Sequence, residues 1–172
     1  MKRVLVAGVG NIFLGDDAFG VEVAVRLRAH RVPPGVKLVD YGIRSLHLAY
    51  ELLEGDYDLT LLIDASPRGG APGTLYVIEP DLSTATGATA DAHAMNPDTI
   101  FASLRALGGK PGRVLVVGCE PASVEEGMGL SAQVDAAVDA GVNLVLELLA
   151  RECTEGGCDV PGDSRPDRAV VS

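Results

Sequence analysis

Short apolar runs alternate along this chain with stretches of helical period, and that alternation leaves few architectures open. Val4–Ala7, Val36–Asp40, Leu59–Ile63, Leu75–Ile78 and Val114–Val117 are rich in β-branched and aliphatic residues over strand length. Between them, Phe19, Val23 and Leu27 recur at helical spacing, as do Leu46, Ala49, Tyr50 and Leu53, and then Ile100, Leu104 and Leu107. Val134, Val138, Val142, Val145 and Leu149 mark a last helix over residues 131–151, with Ser131 placed to cap its first turn. Strands alternating with helices predict a sheet with helices on both faces. The link from Asp64 to Thr74 breaks the pattern, being rich in Pro and Gly and without helical period. It is shorter than the dozen or so residues that a parallel crossover needs, so the fourth strand is expected to run antiparallel at an edge. The fold class read from the pattern is α/β, with a mostly parallel five-stranded sheet and one antiparallel edge strand.

At 172 residues and 47% hydrophobic, the chain fits one domain. A domain near 150 residues buries roughly 68–70% of its unfolded surface, enough to need no disulfide or structural metal. That domain is expected over residues 1–151. Residues 152–172 hold Gly, Pro, Asp and Arg with few large apolar side chains and are expected to form a disordered tail. Asp81 to Ala94, rich in Thr, Ala and Ser, is expected to be a surface loop of the kind that carries binding groups. With 14 Lys and Arg against 24 Asp and Glu, the net charge of −10 argues against nucleic acid and anionic membrane as partners. No run of 18 apolar residues is present, and the cysteines Cys119, Cys153 and Cys158 are too few for a secreted disulfide scaffold. A cytoplasmic protein is the expectation.

The segment Gly8-Val9-Gly10-Asn11-Ile12-Phe13-Leu14-Gly15-Asp16-Asp17-Ala18-Phe19-Gly20 joins the first strand to the first helix. Glycines there permit a tight turn at a strand's carboxyl end, where open α/β sheets bind ligands. A dinucleotide does not fit: Phe13 stands where the third glycine of the fingerprint would fall, and Asp16 and Asp17 would face the pyrophosphate. One acid suffices to compensate a helix dipole. Two adjacent acids, with Asp64 closing the third strand and Asp40 the second, bring like charges to one sheet edge, which is costly unless a cation sits among them. His93 would turn such a carboxylate set toward nickel, zinc or iron rather than magnesium or calcium. An ordinary loop histidine accounts for it equally well. His30 reads as a surface residue near a helix end, and His47 as a helix-packing residue. Cys119 has no histidine partner in the pattern and reads as a small buried hydrophobe.

Residues 8–21, followed in order by Asp40-Tyr41-Gly42, Ile63-Asp64-Ala65, Pro72-Gly73-Thr74 and a single His93, resemble the hydrogenase maturation proteases over most of residues 3–150. The resemblance implies a three-layer α/β/α sandwich and an endopeptidase that removes a C-terminal extension from the nickel-loaded large-subunit precursor of a nickel-iron hydrogenase. It also implies metal ligands: Asp17 at the first acidic position, where the family carries Glu or Asp, Asp64 at the second, and His93. The nickel is implied to be the substrate's own, with zinc or cadmium able to substitute in vitro. The chain departs from the commoner pattern where Ile43-Arg44-Ser45 follows Gly42. Arg44 is then either a contact to the precursor or an exposed arginine at a helix start.

Two mechanisms remain open at this level. A metal held by two carboxylates and an imidazole could polarise a peptide carbonyl or a water. Alternatively the site grips nickel already installed in the precursor, and Asp17 or Asp40 serves as general base. The rival from another class is a non-enzymatic, receiver-like acidic signalling module. That design needs a lysine ending a later strand, where this chain has Val117-Gly118-Cys119-Glu120.

Overall fold

A computed structural model describes residues 1–81, 97–154 and 170–171. The strands are β1 (Val4–Val9), β2 (Val36–Gly42), β3 (Leu59–Ala65), β4 (Leu75–Ile78), β5 (Arg113–Cys119) and β6 (Val170–Val171). The helices are α1 (Phe19–Leu27), α2 (Ser45–Gly55), α3 (Pro97–Ala106) and α4 (Ala132–Thr154), with a 3-10 turn at Gly15–Ala18 before α1. The sheet order is β2-β1-β3-β5-β4-β6, with β2, β1, β3 and β5 parallel and β4 antiparallel to β5.

Successive side chains of a strand point to opposite faces, so each central strand serves two cores. Val4, Val6, Leu59, Leu61, Ile63, Leu115 and Val117 pack with α1 and α4, while Leu5, Ala7, Val9, Leu62, Val114 and Val116 pack with α2 and α3. The result is the three-layer sandwich. On α2 the buried stripe differs from the expected one: Leu48 and Ala49 are buried, whereas Leu46, Tyr50 and Leu53 are exposed. His47 is exposed too, so it does not pack. The helix begins where the Arg44 side chain folds back on the Tyr41 and Asp40 carbonyls.

The antiparallel reading of the Asp64–Thr74 link holds. Its ends are stitched to the end of β5, Ser66 N donating to the Cys119 carbonyl (2.8 Å) and Gly73 N to that of Glu120 (2.8 Å). The expected loop over residues 81–94 lies, apart from Asp81, outside the described residues.

The expected tail begins too early. Helix α4 runs on to Thr154, and Glu152 is buried, accepting from Lys2 Nζ (2.9 Å) and Arg113 Nη1 (2.7 Å). A carboxylate paired with two cations can be buried where an unpaired one cannot, and composition does not reveal the pairing. Val170–Val171 add to the sheet antiparallel to β4, and residues 155–169 lie outside the described set. Burial works against the Glu152 charge, but Lys2 and Arg113 outweigh it and hold its carboxyl below the usual value.

Chain order matters most at β1. The connection from β1 leads to β2 on one side, and the chain then returns to place β3 on the other, so a topological switch point lies between β1 and β3. Helix α1 starts directly over it. A Cβ on Gly20 would stand 2.0 Å from the Ile63 carbonyl oxygen and 2.4 Å from that of Val9, and one on Gly8 would stand 2.4 Å from the Gly20 carbonyl oxygen.

Gly20→Ala, which in an open helix would stabilise by about 1 kcal/mol, should here destabilise by about 1–3 kcal/mol through overpacking, read by urea unfolding. Glu152→Ala should cost about 1–3 kcal/mol, less than a fully buried pair because its cations are partly exposed. Ending the chain after Arg151 should lose at least as much, and a midpoint unmoved by either change would return Glu152 to the tail.

Candidate active site

The opening loop is shaped by a glycine and an asparagine. Gly10 has φ +141°, and a Cβ there would lie 1.9 Å from the Asp17 carbonyl oxygen, so only glycine lets the 3-10 turn fold back on the strand end. Asn11 Oδ1 accepts from Phe13 N (2.9 Å), and Asn11 N donates to the Asp17 carboxylate (2.7 Å). Gly10 N donates to the Gly42 carbonyl (3.0 Å), which ties the loop to the end of β2.

The two adjacent acids have opposite surroundings. Asp16 is buried and points away from the switch point into the loop at residues 120–131. Its carboxylate accepts from Ala122 N (2.8 Å), Ser123 N (3.1 Å), Ser131 N (2.7 Å) and Ser131 Oγ (2.8 Å). Burial raises its pKa, but these donors prevail and hold it below the usual carboxylate value. Ser131, expected as a helix cap, supplies its carbonyl to Asp135 N (2.8 Å) and turns its hydroxyl on Asp16.

Asp17, half-buried, has the single backbone donor Asn11, and burial pushes its pKa up. Asp64, at the end of β3, is 4% exposed and accepts from Ala65 N (2.8 Å). Burial, and then the charge of Asp17, push the Asp64 carboxyl well above its usual value. The 3-10 turn that carries Asp17 packs on β3, near enough for the charge of Asp17 to act on Asp64. Among the described residues no lysine or arginine ion-pairs with either, and no group of three metal-ligating side chains assembles. His93 lies outside the described residues. Asp40 sits one strand further away: Asp40 and Ile63 flank Gly8 in register, so β1 separates Asp40 from Asp64 by two strand spacings, about 10 Å. Its Oδ1 accepts from Gly42 N (2.9 Å).

Two residues do work that their types alone did not announce. Glu120, buried just past β5, accepts from Arg68 N (2.7 Å), Gly69 N (2.8 Å) and Tyr76 Oη (3.2 Å), and so pins the loop that follows Asp64. An acid directly after an apolar strand run was the available signal, the same one that marks Asp64. Arg44 donates to the Asp40 and Tyr41 carbonyls and lies over the Tyr41 ring at 5.7 Å, which holds the turn carrying Asp40. Cys119 is buried and its thiol is pushed up to about 12, by burial and then by Asp16 and Glu120, so it is no nucleophile.

The fold is an α/β sandwich that carries Asp17 and Asp64 at its switch point, where proteins of this architecture act on their ligands. The family model for hydrogenase maturation proteases (HycI) matches residues 21–148. Hydrogenase expression/formation protein HupD of Rhodobacter capsulatus is 31% identical over 149 residues, covering 82% of this chain and 70% of that protein. The hydrogenase 2 maturation protease of Escherichia coli is 29% identical, covering 89% of this chain and 94% of its own. Among solved structures, the hydrogenase maturating endopeptidase HybD from E. coli superposes with TM-score 0.71 at 28% identity, covering 88% of this chain and 94% of that one. The NiFe hydrogenase maturation protease HycI from Thermococcus kodakarensis gives TM-score 0.70 at 26% identity, over 87% of this chain and 93% of that one. The chain belongs to the hydrogenase maturation proteases. It is an endopeptidase of hydrogenase maturation, which sets the receiver-like alternative aside. No described helix is long and apolar enough to cross a membrane.

The three aspartates should separate in a thermal series on the isolated protein. Asp16→Asn removes an anion from several donors and should lower stability by about 1.5–3 kcal/mol. Asp64→Asn should do the reverse. Because the folded Asp64 holds its proton to higher pH than the unfolded chain does, native stability falls as pH rises from about 4 through the folded pKa. At pH 7 Asp64→Asn should therefore melt about 2–4 °C above wild type for each kcal/mol relieved, a gain that disappears toward pH 4. Asp17→Asn should shift the midpoint the same way by less. Equal midpoints for wild type and Asp64→Asn at pH 7 would mean that Asp64 carries no electrostatic strain.

Proposed function

We propose that this protein removes the C-terminal extension from the nickel-loaded large-subunit precursor of a nickel-iron hydrogenase, with Asp17, Asp64 and His93 as ligands to the nickel that the precursor carries. The observation that supports this most is the Asp17–Asp64 pair. Two carboxylates share the switch point, each destabilised as an anion, and no described side chain neutralises them. Such a pair is relieved by a cation delivered from outside, and oxygen donors joined by an imidazole suit a divalent transition metal. On this reading the nickel is part of the substrate, so an unloaded precursor lacks what the site grips. Zinc or cadmium stands in for it in vitro.

Asp40 is the proposed general base. It stands on β2, across β1 from Asp64, with its second carboxylate oxygen unclaimed by the Gly42 N–H bond. Water attacks the scissile carbonyl carbon, Asp40 takes the water's proton, and the same proton passes to the departing amide nitrogen as the C–N bond breaks. Asp17 is left to the metal. The free thiols of Cys119 and Cys153 are in keeping with a reaction in the reducing cytoplasm.

The test mixes the protein with nickel-loaded and nickel-free precursor and follows the precursor's mass. Only the loaded form should be shortened. Asp64→Asn and Asp17→Asn should abolish shortening while staying folded, Asp17→Glu should be the mildest change, and Asp40→Asn should lower kcat by about 10²–10⁴ with KM little altered. Cd(II) should bind the isolated protein once per chain, more weakly below about pH 6.5, where imidazole protonates, and more weakly to His93→Ala. Equal cleavage of both precursor forms would overturn the nickel reading.

A further inference from the structure

Large apolar side chains left exposed singly are ordinary on a protein surface. Here four of them, Ile12, Phe13, Val124 and Met128, lie on two loops distant in sequence that the fold joins into one, with Phe13 58% and Met128 74% exposed. Gly15 N donates to the Gly127 carbonyl (2.9 Å), Gly127 N to the Phe13 carbonyl (2.8 Å) and Asp16 N to the Ser123 carbonyl (2.9 Å). The Asp16 carboxylate, bonded to Ala122 and Ser123, locks the same two loops from beneath. Glu125 and Glu126 stand exposed between the apolar positions.

We propose that these joined loops are the docking surface for the hydrogenase precursor, which meets them with an apolar face rimmed by lysine or arginine. The inference rests on the proposed function and adds where the substrate is held. Continuity is the first reason: Asn11, next to Ile12 and Phe13, donates to the Asp17 carboxylate, so a chain presented to Asp17 lies beside this patch. Rigidity is the second. Loops already ordered by backbone bonds lose little freedom on binding, which favours an apolar surface built to be covered. Charge sets the rim: Glu125 and Glu126, exposed on a chain of net charge −10, repel an acidic face and admit a cationic one.

The experiment measures precursor binding by interferometry separately from precursor cleavage, for wild type, a Phe13→Asp, Met128→Asp double variant, and Val25→Asp as an exposed apolar control near the far end of α1. The double variant should raise Kd and KM at least tenfold, keep kcat within about twofold, and keep its Cd(II) affinity and melting midpoint. Glu125→Lys with Glu126→Lys should slow association and flatten its salt dependence. Phe13→Ser with Met128→Ser repeats the measurement should the aspartates disturb folding. Binding by the double variant equal to wild type overturns the proposal. So does sedimentation showing that the variant only breaks a wild-type dimer while binding the precursor normally. A wild type that binds the precursor without cleaving it, with binding lost in the double variant, supports the docking surface and overturns the proposed reaction instead.

Discussion

The contact between the start of α1 and the strand ends beneath it is the constraint on which the rest of the site depends. With Gly8 on β1 facing Gly20 on α1, the helix backbone comes within reach of the Val9 and Ile63 carbonyls, closer than any side chain allows. That approach fixes the height of the turn ahead of the helix, and so seats the turn that carries Asp17 on β3. A helix held one methyl group further out would lift Asp17 away from its partner. The glycines of the opening segment therefore serve distance as well as turn geometry, and a phosphate-binding role is not needed to account for them.

Adjacent acids in this turn divide structure from chemistry. Asp16 turns inward and is stabilised as an anion by backbone and hydroxyl donors of the loop ahead of α4, whereas Asp17 turns toward the strand ends with one donor. Donors hold one carboxylate below its usual pKa, while burial pushes the other above it. The favourable one holds in place the loop that presents the unfavourable one, which is how a site can store like-charge repulsion without unfolding. Glu120 and Glu152 belong with Asp16, since each buried carboxylate meets donors or cations that outweigh its desolvation.

Asp64 is the other kind of buried acid. Its neighbours give it one backbone hydrogen bond and the repulsion of Asp17, a combination that stability alone would select against. Its position, at the carboxyl end of β3 beside the point where strand order reverses, is where open α/β sheets place ligands. The cost at Asp64 therefore falls at the place where a fold of this kind admits a ligand.

The sequence by itself determined the layers, the strand directions and the edge at which the acids gather. Parallel buried strands are continuous apolar runs, amphipathic helices repeat on one face, and the short Asp64–Thr74 link leaves no room for a crossover, all of which are local in the chain. Asp64 and Asp40 were legible as strand-end acids, and Asp17 as an acid of the loop ahead of the first helix, for the same reason. Only the tertiary structure decided that the turn carrying Asp17 packs on β3 while Asp40 stands across β1, because strand order is a long-range property. It alone assigned Asp16 to the loop before α4, turned the Ser131 hydroxyl from a helix cap into a donor, and rotated α2 so that Leu48 is buried and Leu46 is not. It also drew Glu152 out of the expected tail, through Lys2 and Arg113, which come from the other end of the chain and from β5. Each of these depends on a partner remote in sequence, and periodicity and composition report only on neighbours.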